Sequence, residues 1–149
     1  MTAVTMKIAL GADHGGFELK SELVEGLRDL KYTIDDLGAF STDPSDYPDV
    51  AHAAATGIAQ GTYDRAILVC GTGVGMAIVA NRYRGVRAAN CGDVFSARYS
   101  RAHNDANVLT LGGRVLGVGL AWEIVNVWLA STFSGGDRHV RRVAKIDAP

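Results

Sequence analysis

The sequence predicts an α/β protein built on one doubly wound, Rossmann-like parallel sheet of five strands flanked by helices. Three observations lead there. Five short apolar runs are spread along the chain, as strands buried on both faces would be. Stretches of helical period separate them, so that strand and helix alternate five times. The 149 residues include 18 Gly but only 3 Pro, which points to tight turns between regular elements rather than to an unfolded chain. The length suits one domain. No repeat, low-complexity tract or linker interrupts it, so residues 1–149 read as a single domain with a basic tail over 134–149.

The elements follow in order. Lys7 to Ala12 is the first strand. Phe17 to Leu30 is an amphipathic helix, with Phe17, Leu19, Leu23, Val24, Leu27 and Leu30 on one stripe. Tyr32 to Leu37 is the second strand. Asp49 to Gln60 is an Ala-rich helix with Asp49 placed as its N-cap. Arg65 to Cys70, Gly85 to Asn90 and Asn107 to Leu111 complete the strands. Helices at Val74 to Arg82 and Asp93 to His103 lie between them. Gly117 to Thr132 is the longest predicted helix. Its interior from Leu120 to Leu129 holds one charge, Glu123, so one side should pack on the sheet and the other on a second subunit. After Gly135-Gly136 come Arg138, Arg141, Arg142 and Lys145. By composition this is a solvated terminal helix.

Composition narrows the function classes. Lys and Arg number 15, Asp and Glu 16, for a net charge of -1; a nucleic-acid binder usually shows a basic excess. No stretch has the length of a membrane span. The opening Met1 to Met6 has no apolar run or cleavage pattern, so a cytoplasmic location is expected. Cys70 and Cys91 make no CxxC and no zinc-ligand spacing. Neither a disulfide nor a metal is expected.

Open α/β sheets bind ligands beyond the carboxyl ends of their strands, where strand order reverses. In the common order 2-1-3-4-5, strands 1 and 3 adjoin at that point. Gly11-Ala12-Asp13-His14-Gly15-Gly16 follows strand 1, and Cys70-Gly71-Thr72-Gly73-Val74-Gly75 follows strand 3. The two loops should face one another. Gly71, Gly73 and Gly75 let backbone N–H groups point at an anion where a helix begins. No Gly-Lys-Ser/Thr follows, and Met76 stands where a dinucleotide fingerprint needs glycine. Alone, such a loop is an ordinary turn, and a lone Cys is ordinarily a small buried hydrophobe. Together they suggest more. A thiol at a helix N-terminus gains thiolate character and can take a proton from beside a carbonyl. The enediolate left behind needs preorganised donors, here the amides of Gly71 to Gly75 and the Thr72 hydroxyl. Asp13 would meet sugar hydroxyls and His14 an anionic group. His103-Asn104-Asp105 reads by itself as a polar helix end. His52 and His139 receive no role, and Cys91 is read as core.

These segments, with Asp46-Tyr47-Pro48-Asp49, Ala102-His103-Asn104-Asp105-Ala106-Asn107, Leu111-Gly112-Gly113-Arg114 and Gly135-Gly136-Asp137-Arg138-His139, resemble the type B ribose-5-phosphate isomerase family. That family also includes galactose-6-phosphate and allose-6-phosphate isomerases. The resemblance runs from about Met6 to Ile146. It implies a metal-free, cofactor-free enediol mechanism in a homodimer or a dimer of dimers. It implies Cys70 as the base, Thr72 with the Gly71 to Gly75 amides as the enediolate site, and His103 as the group that helps open the sugar ring, with Asn104 beside it. Asp13 and Tyr47 would contact the sugar. His14, Arg114, Arg138 and Arg142 would clamp the phosphate. One branch of the family replaces the cysteine and carries a glutamate where Met76 stands; this chain resembles the cysteine branch. Asp137 separates the glycine pair from Arg138, which shifts the tail by one residue and leaves Arg141 an alternative to Arg138.

Topology adds an expectation. Cys70 ends a strand, whereas His103 ends a helix that returns toward the start of the next strand. A strand spans about 17–20 Å, so the two residues reach one small sugar only if a second subunit supplies one of them. The expected function is conversion of ribose 5-phosphate to ribulose 5-phosphate in sites shared between subunits. The alternatives are four- or six-carbon substrates (erythrulose 4-phosphate, allose or galactose 6-phosphate) and a non-catalytic module that binds a sugar phosphate. A thiol redox protein is disfavoured because no resolving cysteine is present.

Overall fold

In the computed structural model, which describes residues 5–149, all five apolar runs enter one parallel sheet. The strands are β1 (Lys7–Ala12), β2 (Thr33–Asp36), β3 (Arg65–Cys70), β4 (Ala88–Asn90) and β5 (Val108–Gly112). The helices are α1 (Phe17–Asp29), α2 (Tyr47–Ala59), α3 (Val74–Ala80), α4 (Val94–Ala102), α5 (Val118–Ala130) and α6 (Asp137–Asp147). Alternation along the strands builds two cores. Ile8, Leu10, Ile67, Leu109 and Leu111 point to α1, α4 and α5, where Leu23, Leu27, Ala97, Ile124 and Trp128 meet them. Ala9, Ala66, Leu68 and Val108 point to α2 and α3. The second core is rich in alanine, including Ala51, Ala54 and Ala55 of α2, so the helix can approach the sheet closely.

The strand order is β2-β1-β3-β5-β4, not the expected 2-1-3-4-5. All five residues of β5 are buried, which suits a central position, while β4 keeps only three paired residues of intermediate or full exposure, which suits an edge. The expected neighbours β1 and β3 do adjoin, from Ile8 opposite Arg65 to Ala12 opposite Val69. The predicted start of β4 at Gly85 is also corrected. Gly85 has a left-handed φ of 81°, and the Arg87 N–H donates to Asn107 Oδ1 at 2.8 Å, so pairing begins only at Ala88. On the outer side of this edge the Asn81 carboxamide takes both main-chain groups of Ala88, accepting from its N–H at 2.7 Å and donating to its C=O at 3.0 Å.

Two helices differ from expectation. α2 starts at Tyr47, so Asp46 holds the N-cap position and Asp49 lies in the first turn. Pro48 is tolerated there because that turn has no internal acceptor for its missing N–H. α5 packs on the sheet as expected and finds part of its outer cover within the chain. Its Ala121, Ile124, Val125 and Trp128 are buried in the sheet core, and its Trp122 ring presses on α1 at Gly26, where a Cβ would come within 2.5 Å of it. It is no longer than α1 or α2, at 13 residues each. No helix among the described residues is long and apolar enough to cross a membrane.

Candidate active site

Three loops leave the carboxyl edge of the central strands and meet almost backbone to backbone. The Gly113 N–H donates to the Cys70 carbonyl at 2.7 Å, and the Arg114 N–H to the Gly71 carbonyl at 3.1 Å. A Cβ on Gly113 would come within 2.6 Å of the Gly15 carbonyl, and one on Gly16 would collide with the Val69 carbonyl. Only glycine permits such approaches. The result is a rigid floor beneath Cys70.

Cys70 is buried at 5 % exposure, and its Sγ accepts the Gly73 N–H at 3.1 Å. Gly73 adopts a left-handed φ of 82°, which turns its amide back toward the sulfur. A sulfur bearing negative charge is well served by such a donor at a helix N-terminus. Thr72 Oγ1 accepts from the Val74 N–H at 3.2 Å, so its hydroxyl proton is free to donate outward. Asp13 is buried, and its Oδ1 takes the Gly16 N–H at 3.1 Å. His14 Nδ1 accepts the Ser45 N–H at 3.1 Å. That bond places the ring proton of neutral His14 on Nε2, the nitrogen able to donate to an anion. The Tyr47 ring lies against Gly75, within 2.5 Å of where a Cβ would be, and the Arg114 side chain passes over Gly71.

The exit from β1 is braced from below. Lys20 is 1 % exposed; its ammonium bonds Asp36 at 2.8 Å and the Ala39 carbonyl at 2.7 Å. The loop so held exchanges two bonds of 2.6 Å with Ala12, the residue before Asp13.

Asp13, His14, Tyr47, Cys70, Thr72, the Gly71, Gly73 and Gly75 loop and Arg114 therefore gather at one edge. His103, Asn104, Arg138 and Arg142 do not. His103 caps the end of α4 at the amino edge, and Ser134, ahead of α6, donates its N–H to the Ala102 carbonyl beside it at 3.0 Å. Arg138 lines an open cavity of about 480 Å³ with Ser134, Gly136, Asp137 and His139. Arg138 and Arg142 are the tail arginines whose charge bears on His139. The link from α6 back to the sheet is the Arg87–Asp147 ion pair of 2.9 Å.

Sequence alone assigns no role to two residues near these groups. The Asn90 amide oxygen accepts from Thr110 Oγ1 at 3.2 Å and touches the Gly73 turn. His139 stacks on His103 with ring centroids 4.2 Å apart and planes 27° apart. Cys91 is core, as expected, and burial pushes its thiol up to about 11. Among the described residues no three His, Cys, Asp or Glu side chains are grouped to hold a metal ion.

A buried thiol held by a glycine amide, at the carboxyl edge of a parallel sheet and with a histidine on the neighbouring loop, is an arrangement suited to an α/β enzyme of the proton-transferring kind. Comparison with known proteins narrows this. The family described as Ribose/Galactose Isomerase matches residues 8–146. Ribose-5-phosphate isomerase B of Escherichia coli is 47% identical over 142 residues, 95% of each chain. D-erythrulose-4-phosphate isomerase of Pectobacterium atrosepticum is 44% identical over 135 residues, 88% of this chain and 87% of that one. The solved ribose-5-phosphate isomerase B of Clostridium thermocellum superposes with a TM-score of 0.93 at 47% identity, over 95% of both chains. The chain belongs to the ribose/galactose isomerase family and is an aldose–ketose isomerase.

Proposed function

We propose that this isomerase interconverts ribose 5-phosphate and ribulose 5-phosphate in the cytoplasm, through an enediolate, with Cys70 as the base. The observation that carries the reading is the Cys70 sulfur held by the Gly73 amide above a glycine-tight floor. The thiolate takes the proton from C2 of the open-chain aldose and returns it to C1, while a proton passes from O2 to O1 of the enediolate. The Gly71 to Gly75 amides and the Thr72 hydroxyl meet the enediolate oxygens as charge develops. Asp13 and Tyr47 hold sugar hydroxyls. His14 and Arg114 meet the phosphate from the same chain, and Arg138 and Arg142 from another.

That last point makes the working unit a homodimer, or a pair of them. Cys70 and His103 lie at opposite ends of the sheet, so ring opening by His103 at Cys70 requires a second copy. Val74 and Ile78 of α3, Phe95 at the start of α4 and Val115 after β5 are 49 to 69% exposed. They follow the carboxyl ends of their strands, at the edge of the sheet where Cys70 lies, and with Val118 and Leu120 of α5 supply exposed apolar surface. A two-fold axis would bring the amino edge of each copy to the carboxyl edge of the other.

The test is a metal-free activity screen over four-, five- and six-carbon aldose phosphates. The highest kcat/KM should fall on ribose 5-phosphate. A better four- or six-carbon substrate would move the assignment within the family. Binding without turnover of any would leave a sugar-phosphate-binding module.

A further inference from the structure

The His103 ring makes no side-chain hydrogen bond among the described residues. A catalytic imidazole is ordinarily oriented by a partner on its second nitrogen. Here packing does that work. Phe95, Tyr99 and His103 stand four residues apart on one face of α4, so their rings form a ladder: Phe95 to Tyr99 at 4.7 Å and Tyr99 to His103 at 4.6 Å. His139, from a different helix, is the last rung at 4.2 Å, so that His103 lies between two rings.

We propose that His139 is a positioning residue for His103, setting its plane by stacking so that both of its nitrogens stay free for the sugar. His139 is itself well fixed. It is the one buried residue of α6, and its Nδ1 bonds Ser134 Oγ at 2.6 Å. Ser134 in turn caps the last turn of α4 through Ala102. The same ring adjoins the phosphate arm, since Arg138 Nε lies 3.4 Å from His139 Nε2. The titratable groups facing His139 are His103 from the end of α4 and Arg138 and Arg142 from α6. One side chain thus joins the ring-opening group to the arm that holds the phosphate. A donor bond to His103 would have occupied a nitrogen; a stacked ring orients it and occupies neither.

The inference rests on His103 acting in ring opening, and the experiment separates the two ideas. Turnover at saturation is compared on ribose 5-phosphate, which closes into a furanose, and on erythrose 4-phosphate, whose esterified C4 oxygen cannot. His103→Ala is the reference. His139→Ala should lower kcat on the furanose-forming substrate about tenfold or more, while the non-cyclising one stays within about threefold. His139→Phe, which keeps a flat ring, should recover most of the loss. In the proton NMR spectrum, the C2 proton of His103 should move downfield in His139→Ala and return upfield in His139→Phe. Equal losses on both substrates, or an unmoved His103 resonance, would overturn the proposal. If His103→Ala itself spares ribose 5-phosphate, the ring-opening reading fails instead, whatever the His139 variants do.

Discussion

The two edges of the sheet are built on different principles. At the carboxyl edge, three loops touch through main-chain atoms, glycine stands wherever a side chain would collide, and Cys70 is buried. At the amino edge, His103 caps the end of α4 and the arginines ride on α6, a helix whose one buried residue is His139 and which an ion pair at Asp147 also ties down. The first edge supplies geometry that cannot relax. The second supplies charge on an adjustable mount. On the proposed reading, proton transfer, which depends on fractions of an ångström, falls to the rigid edge, and the tail arginines' hold on the phosphate to the adjustable one.

The largest effect expected is at the rigid edge. Cys70→Ala should cost about 10²–10⁴-fold in kcat, the usual worth of a general base, with sugar-phosphate binding retained by calorimetry. Full activity in that variant would remove the thiol from the mechanism. At the adjustable edge, Arg142→Ala should raise KM about tenfold or more and leave kcat nearly unchanged, as the loss of a charge-assisted contact to bound phosphate predicts. A fall in kcat at constant KM would instead place Arg142 in the chemistry.

The two edges can also be recombined. Inactive Cys70→Ala and His103→Ala proteins, dissociated and reassociated together, should regain about a quarter of the wild-type sites. Half of randomly formed pairs are hybrids, and each hybrid has one intact site of two. Hybrids with no activity would return both residues to one subunit.

The smallest effect is on stability. Burial, then the charges of His103, Arg138 and Arg142, hold His139 below the ordinary histidine range. The folded chain therefore prefers it neutral, while the unfolded chain takes up a proton near about 6.5. Its contribution is complete above that value and is lost as pH falls through the lower folded value. The His139 C2 proton should titrate with a midpoint below about 6.5. A midpoint at or above it would mean that no such coupling exists.

Much of the rigid edge was legible in the sequence because it is local. The apolar runs ending in Ala12 and Cys70 give β1 and β3 to the residue, and the glycines after them announce the loops. What was not legible depends on partners distant in the chain. The exchange of β4 and β5 follows from burial, which a sequence order does not encode. The lost residues of β4 follow from one amide, Arg87, committed to Asn107. The cover over α5 comes from Gly26, a residue that reads as a weak spot in α1 until Trp122 is seen against it. His139 meets His103 across 36 positions of chain, and no periodicity links them.

Asn81 has a consequence for how such molecules meet. Its carboxamide gives the outermost strand the donor and acceptor that a sixth strand would bring. A strand-like hand is already in place there, so a foreign segment cannot zip on at Ala88 without first displacing it. Continuous sheets running from molecule to molecule, the route to fibrils, are discouraged at that margin by one side chain.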